Sequence, residues 1–303
     1  MCLGSSSPAS KELALVDEGA KRRATIGIVH PGDMGAALGR YFAQRGHRVI
    51  WASESRSHQT CRRADQAGLE DVGDTDTLAR ESDLVVSIVP PHAAADVARA
   101  VGLQTRVFVD ANAISPGQSA QLRALVEGGG GQFVDGSVVG APPTDRSGVR
   151  LFLSGPGAPA AAAVLGGGPV EVITLAGPSA ASALKMSYAS WTKGAQALVL
   201  AGLAAARAHG VESELLAEWS RSQPGLVERA HGAATAAARK GWRWAYEMRE
   251  IAEALQQVGL PGGFHGAAEW IFEHAPRDEY AELGGTTLDA VLDQFRASSA
   301  PDA

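Results

Sequence analysis

The sequence predicts an α/β fold in two parts: an N-terminal parallel sheet covered by helices, then an all-helical C-terminal domain. Three observations predict it. Short apolar runs alternate with segments of helical period from about residue 24 to residue 176. A glycine turn, Gly32 and Gly35, follows the first of those runs. Beyond Gly177 the strand pattern stops and the chain reads at helical period. The expected divisions are a disordered leader over 1–22, a sheet domain over 23–176 and a helical domain over 177–300.

The elements follow in order. "TIGIVH" suits a buried parallel strand. "GAALGRYFAQRGH" puts Leu38 and Phe42 on one helical face, and "RVIWAS" is the second strand. "ADQAGLEDV" and "DTLARES" frame a small helical region before the strand "DLVVSIVPP", which its prolines stop. "AAADVARAV" reads as a helix, "RVFVDANA" as a strand, and "SPGQSAQLRALVEG" as a helix starting near Pro116. "GQFVDGSVVG", "VRLFLSG" and "PVEVITLAG" are further strands. Strand and helix alternating with short breaks imply a parallel sheet covered on both faces.

Composition narrows the function. The chain has 303 residues, 45% of them hydrophobic and 20% charged, enough apolar mass for a sizeable core. A net charge of -6, with no Lys/Arg run longer than Lys21-Arg22-Arg23, argues against a nucleic-acid partner. No charge-free stretch reaches the roughly 20 apolar residues of a membrane span, and the polar, Ser-rich start lacks a signal peptide's apolar core. Cys2 and Cys61 lie far apart and lack metal-ligand spacing, so no metal site and no disulfide framework is expected. These readings place a soluble protein in the cytoplasm.

The turn after the first strand carries the first functional signal. A dinucleotide-binding turn is spelled G-x-G-x-x-G. Here it reads His30, Pro31, Gly32, Asp33, Met34, Gly35, with histidine in the first glycine's place. Gly32 lets backbone approach a pyrophosphate, Gly35 lets helix and strand pack closely, and the helix's first amides face the phosphates. His30 must then tolerate the turn's backbone geometry. Strand, turn, helix and strand together mark a Rossmann-type nucleotide site. The second strand ends in "WASESRS" without a carboxylate at its tip. Ser53 and Arg56 there suit a 2′-phosphate, so NADP (as NADPH) is preferred, with NAD possible.

The second signal is a lysine in an apolar helix. From Pro178 to about Ala208 no proline interrupts a segment that is apolar nearly all round. Such a helix is buried between elements or between subunits, which predicts a homodimer. "ESELLAEWSRS", "LVERAHGAATAAARKG", "WRWAYEMREIAEALQQVG", "FHGAAEWIFEHA" and "TTLDAVLDQF" read as the remaining helices. Lys185 sits early in the long helix, with Tyr188 one turn on. A buried lysine is costly unless it has a task, and it can serve as acid or base when burial lowers its pKa. Tyr188 is a second proton-donor candidate. Lys193, two turns on, reads as structural or interfacial.

The pieces "IGIVHPGDMG", "LVVSIVPP", "FVDANAISP", "FVDGSVVGAPP", "LFLSGPG", "GPSAASALKMSYASWTKG" and "WRWAYEMREIAEAL" occur in this order. Through them the chain resembles the beta-hydroxyacid dehydrogenase and 6-phosphogluconate dehydrogenase superfamily. It looks closest to a branch with a phosphogluconate-dehydrogenase-like helical C-terminal domain. The resemblance implies a nicotinamide cofactor bordered by Val89, Pro90 and Asn112, an interdomain cleft and a homodimer completing it. It places the catalytic lysine on Lys185. The family's substrate-loop serine and two glycines fall on Val139, Gly140 and Ala141, and its asparagine four residues after the lysine falls on Ala189. The lost serine and asparagine make 6-phosphogluconate activity itself improbable.

Together these readings give an NADP-dependent oxidoreductase that interconverts a hydroxyacid-like alcohol and a ketone. Lys185 moves the proton or stabilises the alkoxide. Asn112 orients the nicotinamide or caps a turn. The small-molecule substrate lies among Val139, Gly140, Ala141, Lys185, Ala189 and Trp191. Val139, Tyr188, Trp191, Trp242 and Trp244 point to a bulkier, less acidic substrate. Imine reduction is the alternative, and a catalytically inactive nucleotide-binding dimer is the third.

Overall fold

The computed structural model describes residues 23–144, 148–278 and 287–298. The expected leader over 1–22, with Cys2, lies outside them. Eight strands form one sheet: β1 Thr25–Ile28, β2 Arg48–Trp51, β3 Glu70–Asp71, β4 Leu84–Ser87, β5 Val107–Asp110, β6 Gln132–Val139, β7 Val149–Ser154 and β8 Val170–Leu175. Their order across the sheet is β3-β2-β1-β4-β5-β6-β7-β8. Around it lie α1 Asp33–Gln44, α2 His58–Gln66, α3 Thr75–Glu81, the short α4 Ala94–Val97, α5 Pro116–Gly128 and α6 Ala158–Leu165.

The sheet is not wholly parallel, which corrects the sequence expectation. Strands β6 and β7 pair antiparallel, so β7 and β8 run against the other six. The link from Val139 to Val149 is too short for a crossover helix, and the chain turns back instead. Two small elements, β3 and α6, also escaped the sequence reading. Two apolar cores cover the faces of the sheet. Ile26, Ile28, Leu38 and Phe42 belong to one, and Phe108, Leu122, Val126 and Phe133 to the other.

The C-terminal part is all helical: α7 Ala180–Ala208, α8 Glu212–Ser222, α9 Leu226–Gln257, α10 Gly263–Glu273 and α11 Leu288–Ser298. The two segments expected on either side of Gly241 are one continuous helix, α9. A side chain at Gly241 would meet the Phe272 carbonyl at 2.7 Å, so this glycine permits close approach to α10 rather than ending a helix. Met186, Leu200, Leu203, Met248, Ile251 and Phe272 fill the core of these helices.

Two contacts set α9 against the sheet domain. The Glu250 carboxylate accepts the Ser115 amide at 2.6 Å, and Gln257 accepts that of Gly117 at 3.1 Å, both at the start of α5. The ring of His92, just after β4, lies 4.6 Å from that of Tyr246 on α9. Among the described residues no helix is long and apolar enough to cross a membrane.

Candidate active site at the junction of sheet and helices

The β1–α1 turn has the shape of a phosphate cradle. A Cβ on Gly35 would stand 2.5 Å from the His30 carbonyl, so only glycine lets α1 approach the strand this closely. At Gly32 only the His30 ring lies within 4 Å of where a Cβ would be. No side chain caps α1 at Gly32, so its first amides are not taken up by a local cap. His30 needs no left-handed backbone: Ser55 is the one non-glycine residue with positive φ among the described residues. That corrects the expectation that histidine must tolerate an unusual φ here.

Charge gathers around this cradle. Arg63 pairs with Asp33 at 2.9 Å, which offsets a carboxylate standing where an anion would approach. Burial, then the charges of Arg56 and Arg63, push the His30 imidazole below its usual pKa, favouring its neutral form. His30 Nδ1 and Arg56 Nε are both buried without a hydrogen-bond partner. The unpartnered Arg56 Nε donor and an uncapped helix start fit a phosphorylated nucleotide. The sequence reading missed Arg63, since α2 brings it to the turn from 32 residues away.

A carboxylate does reach the end of β2, and it comes from β3. Asp71 accepts the Ser53 amide at 3.1 Å and the Gly73 amide at 2.9 Å. It fixes the loop carrying Ser53 and Arg56. Pairing of Trp51 with Asp71 brings it there, a long-range register that a strand of two residues does not advertise.

Asn112 is buried and its amide is spent within the protein. Its Oδ1 accepts the Val89 amide at 2.6 Å, and its Nδ2 donates to Asp110 at 2.7 Å and to Ser87 at 3.2 Å. It holds the Val89–Pro90 segment at the tip of β4. Asp110 is fully buried, and burial with the nearby charge of Asp135 raises its pKa to about 7.

Lys185 lies where α7 crosses the end of β6. Its Nζ donates to the Val138 carbonyl at 2.7 Å, beside Val139 and Gly140. Burial, then the positive charge of Arg243, lower its pKa to about 8. Lys193 forms an ion pair with buried Glu247 and lies 5.5 Å from the Trp244 ring centre, a structural tie between α7 and α9. Arg243 Nε stands 3.8 Å from the same glutamate. The Asp33 charge in the cradle acts on Lys240 and Arg243, so this stretch of α9 faces the start of α1. Lys185, Lys193, Lys240 and Arg243 therefore share one cationic region with Glu247 among them.

The remaining substrate candidates do not gather around Lys185. Ala189 is sealed in the helical core, and Val139 is buried in the sheet. Trp244 packs edge-on against Phe272 in that core. Tyr188 is 47% exposed and Trp191 77% exposed. Gly140 and Ala141 are exposed just beyond β6. The aromatic residues thus do not gather into one apolar cluster, and the charge that acts on Lys185 from α9 is the cationic Arg243. Lys240, Arg243 and Glu247 follow one stripe of α9, a spacing visible in "KGWRWAYE" once that segment is read as one helix.

Comparison with known proteins places this geometry. Residues 25–114 match the family model described as NADP oxidoreductase, coenzyme F420-dependent, and residues 206–275 match a domain of unknown function. The mitochondrial 3-hydroxyisobutyrate dehydrogenase of Drosophila melanogaster is 29% identical over 136 residues, 43% of this chain and 41% of that protein. A conserved protein of unknown function, described as structurally similar to 3-hydroxyacid dehydrogenases, superposes with a TM-score of 0.61 at 28% identity, over 87% of this chain and all of that one. The 3-hydroxyisobutyrate dehydrogenase of Mycobacterium tuberculosis superposes at 0.64 with 18% identity, over 91% of this chain and 100% of that one.

The state of Lys185 has a consequence for stability. Below pH 8 it is protonated both folded and unfolded, and the full cost of burying its charge is present. As pH rises from about 8 toward 10.5, the folded state releases the proton that the unfolded chain keeps, so that cost is relieved. The melting temperature of wild type should therefore rise relative to K185M between pH 7 and pH 10. Scanning fluorimetry of both proteins across this range checks it, and a constant difference would contradict a depressed pKa at Lys185. In its two-part architecture the chain shares the fold of the 3-hydroxyisobutyrate dehydrogenases and of the protein described as similar to 3-hydroxyacid dehydrogenases.

Proposed function

We propose that the protein is an NADP-dependent oxidoreductase interconverting an alcohol and a ketone, with Lys185 as the group that handles the proton. The observation that carries this reading is the state of Lys185. It is held on the Val138 carbonyl at the sheet–helix junction, with a pKa near 8. Such an amine exchanges protons near neutral pH, where general acid–base catalysis is most effective.

The cofactor supplies the hydride. Gly32, Gly35 and the first amides of α1 would hold its pyrophosphate, and His30 would border it. Ser53 and Arg56 would read the 2′-phosphate from a loop that Asp71 fixes. Val89 and Pro90, kept in place by Asn112, would border the nicotinamide end. In the oxidising direction neutral Lys185 takes the hydroxyl proton. In the reducing direction its ammonium returns one to the oxygen and stabilises the negative charge building there. Arg243 and Lys240 add positive potential across the junction.

The same cations favour a substrate with a negatively charged group over a neutral one, and they disfavour a cationic iminium. That weighs a hydroxyacid above both the bulkier, less acidic substrate and the imine alternative. A homodimer accounts for α7, where Tyr188, Trp191 and Leu198 are exposed, and for α8, which buries none of its residues within the protomer. Free Cys61 suits a reducing compartment and a cytoplasmic protein.

Incubation with NADPH and parallel panels of oxo acids, neutral ketones and cyclic imines tests the reading. Oxo acids should be turned over fastest. Turnover of imines alone would overturn the reaction class, and NADPH binding without turnover on any panel would favour the inactive nucleotide-binding dimer. Sedimentation at micromolar concentration should give a dimer, and a monomer would refute that part.

A further inference from the structure

The first turn of α7 is capped from the sheet rather than by its own sequence. Ser179 precedes the helix without a side-chain cap. The Ala181 amide donates to Ser154 Oγ at 3.1 Å, and the Ser182 amide donates to the Asp135 carboxylate at 3.0 Å. Asp135 is fully buried on β6. It receives hydroxyl hydrogen bonds from Ser119 on α5 and Ser154 on β7, both at 2.7 Å, and from Ser182 itself. A carboxylate in this position also complements the positive end of a helix dipole. An ordinary local N-cap contributes about 1 kcal/mol without burying a charge. Burying a carboxylate is costly even when it is fully hydrogen-bonded, so a function beyond capping is indicated.

The spacing shows what that function is. Asp135 and Val138 are three residues apart on β6, and Ser182 and Lys185 are three apart on one face of α7. Asp135 holds Ser182 by both its amide and its hydroxyl, and the Val138 carbonyl holds Lys185 at 2.7 Å. These contacts are two rungs between one strand and one helix. We infer that Asp135 is a positioning residue for Lys185: through Ser182 it fixes the rotation and height of α7 on β6, so that Lys185 Nζ meets the Val138 carbonyl. The inference rests on the reading of Lys185 as the proton-handling group, and its test separates the two.

Ser137 Oγ donates to the Ala181 carbonyl at 2.9 Å and Ser154 accepts the Ala181 amide, so removal of the Asp135 rung leaves α7 docked while its rotation at Lys185 loosens and water reaches the amine. The charges facing Lys185, Arg243 from α9 and Lys193 along α7, are untouched by such a change. Lys185 should then move from about 8 toward the ordinary lysine value of 10.5.

Competitive acetylation with acetic anhydride at a series of pH values, read by peptide mass spectrometry, reports the Lys185 pKa without any turnover. In D135N that pKa should rise by roughly one unit or more, and in S182A, which loses the hydroxyl bond but keeps the amide bond, it should rise by less; the pH profile of kcat should shift with it while NADPH binding holds. S119A removes only the α5 contact; it should lower the melting temperature and leave the Lys185 pKa in place. If D135N does not fold, S182A decides. An unmoved Lys185 pKa in S182A, or an equal rise in S119A, would overturn the inference. A raised labelling pKa with an unchanged kcat profile would sustain the positioning role and refute Lys185 as the proton-handling group.

Discussion

The seating of α7 on β6 is the constraint on which the rest depends. The sheet domain and the helical domain meet there, and the long helix starts there without a cap of its own. Asp135 and Ser154 supply the missing acceptors from two antiparallel strands, so the reversal of β7 helps to seat α7. Were β7 parallel to β6, Ser154 would not face Asp135 in this register.

A second constraint is electrostatic. Lys185, Lys193, Lys240 and Arg243 crowd one region with Glu247 among them, and burial pushes all four toward losing their protons. Such a cluster destabilises the protomer by itself. Under the proposed function this cost would be offset by anions, a nucleotide's phosphates at the α1 cradle or a substrate's acidic group near Lys185. This cost in the free protein resembles the strain that other binding sites hold in reserve for their ligands.

Much of this was legible in the sequence. Period and spacing gave most strands, the start of α5 at Pro116 and the helical second half, because these signals are local. The turn at Gly32 and Gly35 and the half-buried Lys185 were visible for the same reason. What was hidden depends on register and distance. β3 is only two residues long, yet its pairing delivers Asp71 to the Ser53 loop. Gly241 looked like a break because glycine weakens helices, whereas here tight packing on Phe272 requires it. Arg63 and Arg243 lie on other helices, and no spacing in the chain connects them to the cradle or to Lys185. The aromatic residues misled because their type suggested a pocket, while their burial assigned Trp244 to the core and left Trp191 at the surface.

The central claim is that Lys185 handles the proton while a separate cradle holds the cofactor. Single-turnover kinetics of K185M with NADPH and an accepted oxo acid tests it most directly, with NADPH affinity measured on the same preparation. The account predicts unchanged NADPH binding and a hydride-transfer rate lower by roughly 10²–10⁴-fold. A near-normal rate in K185M would contradict it and would leave Lys185 a structural residue at the sheet–helix junction.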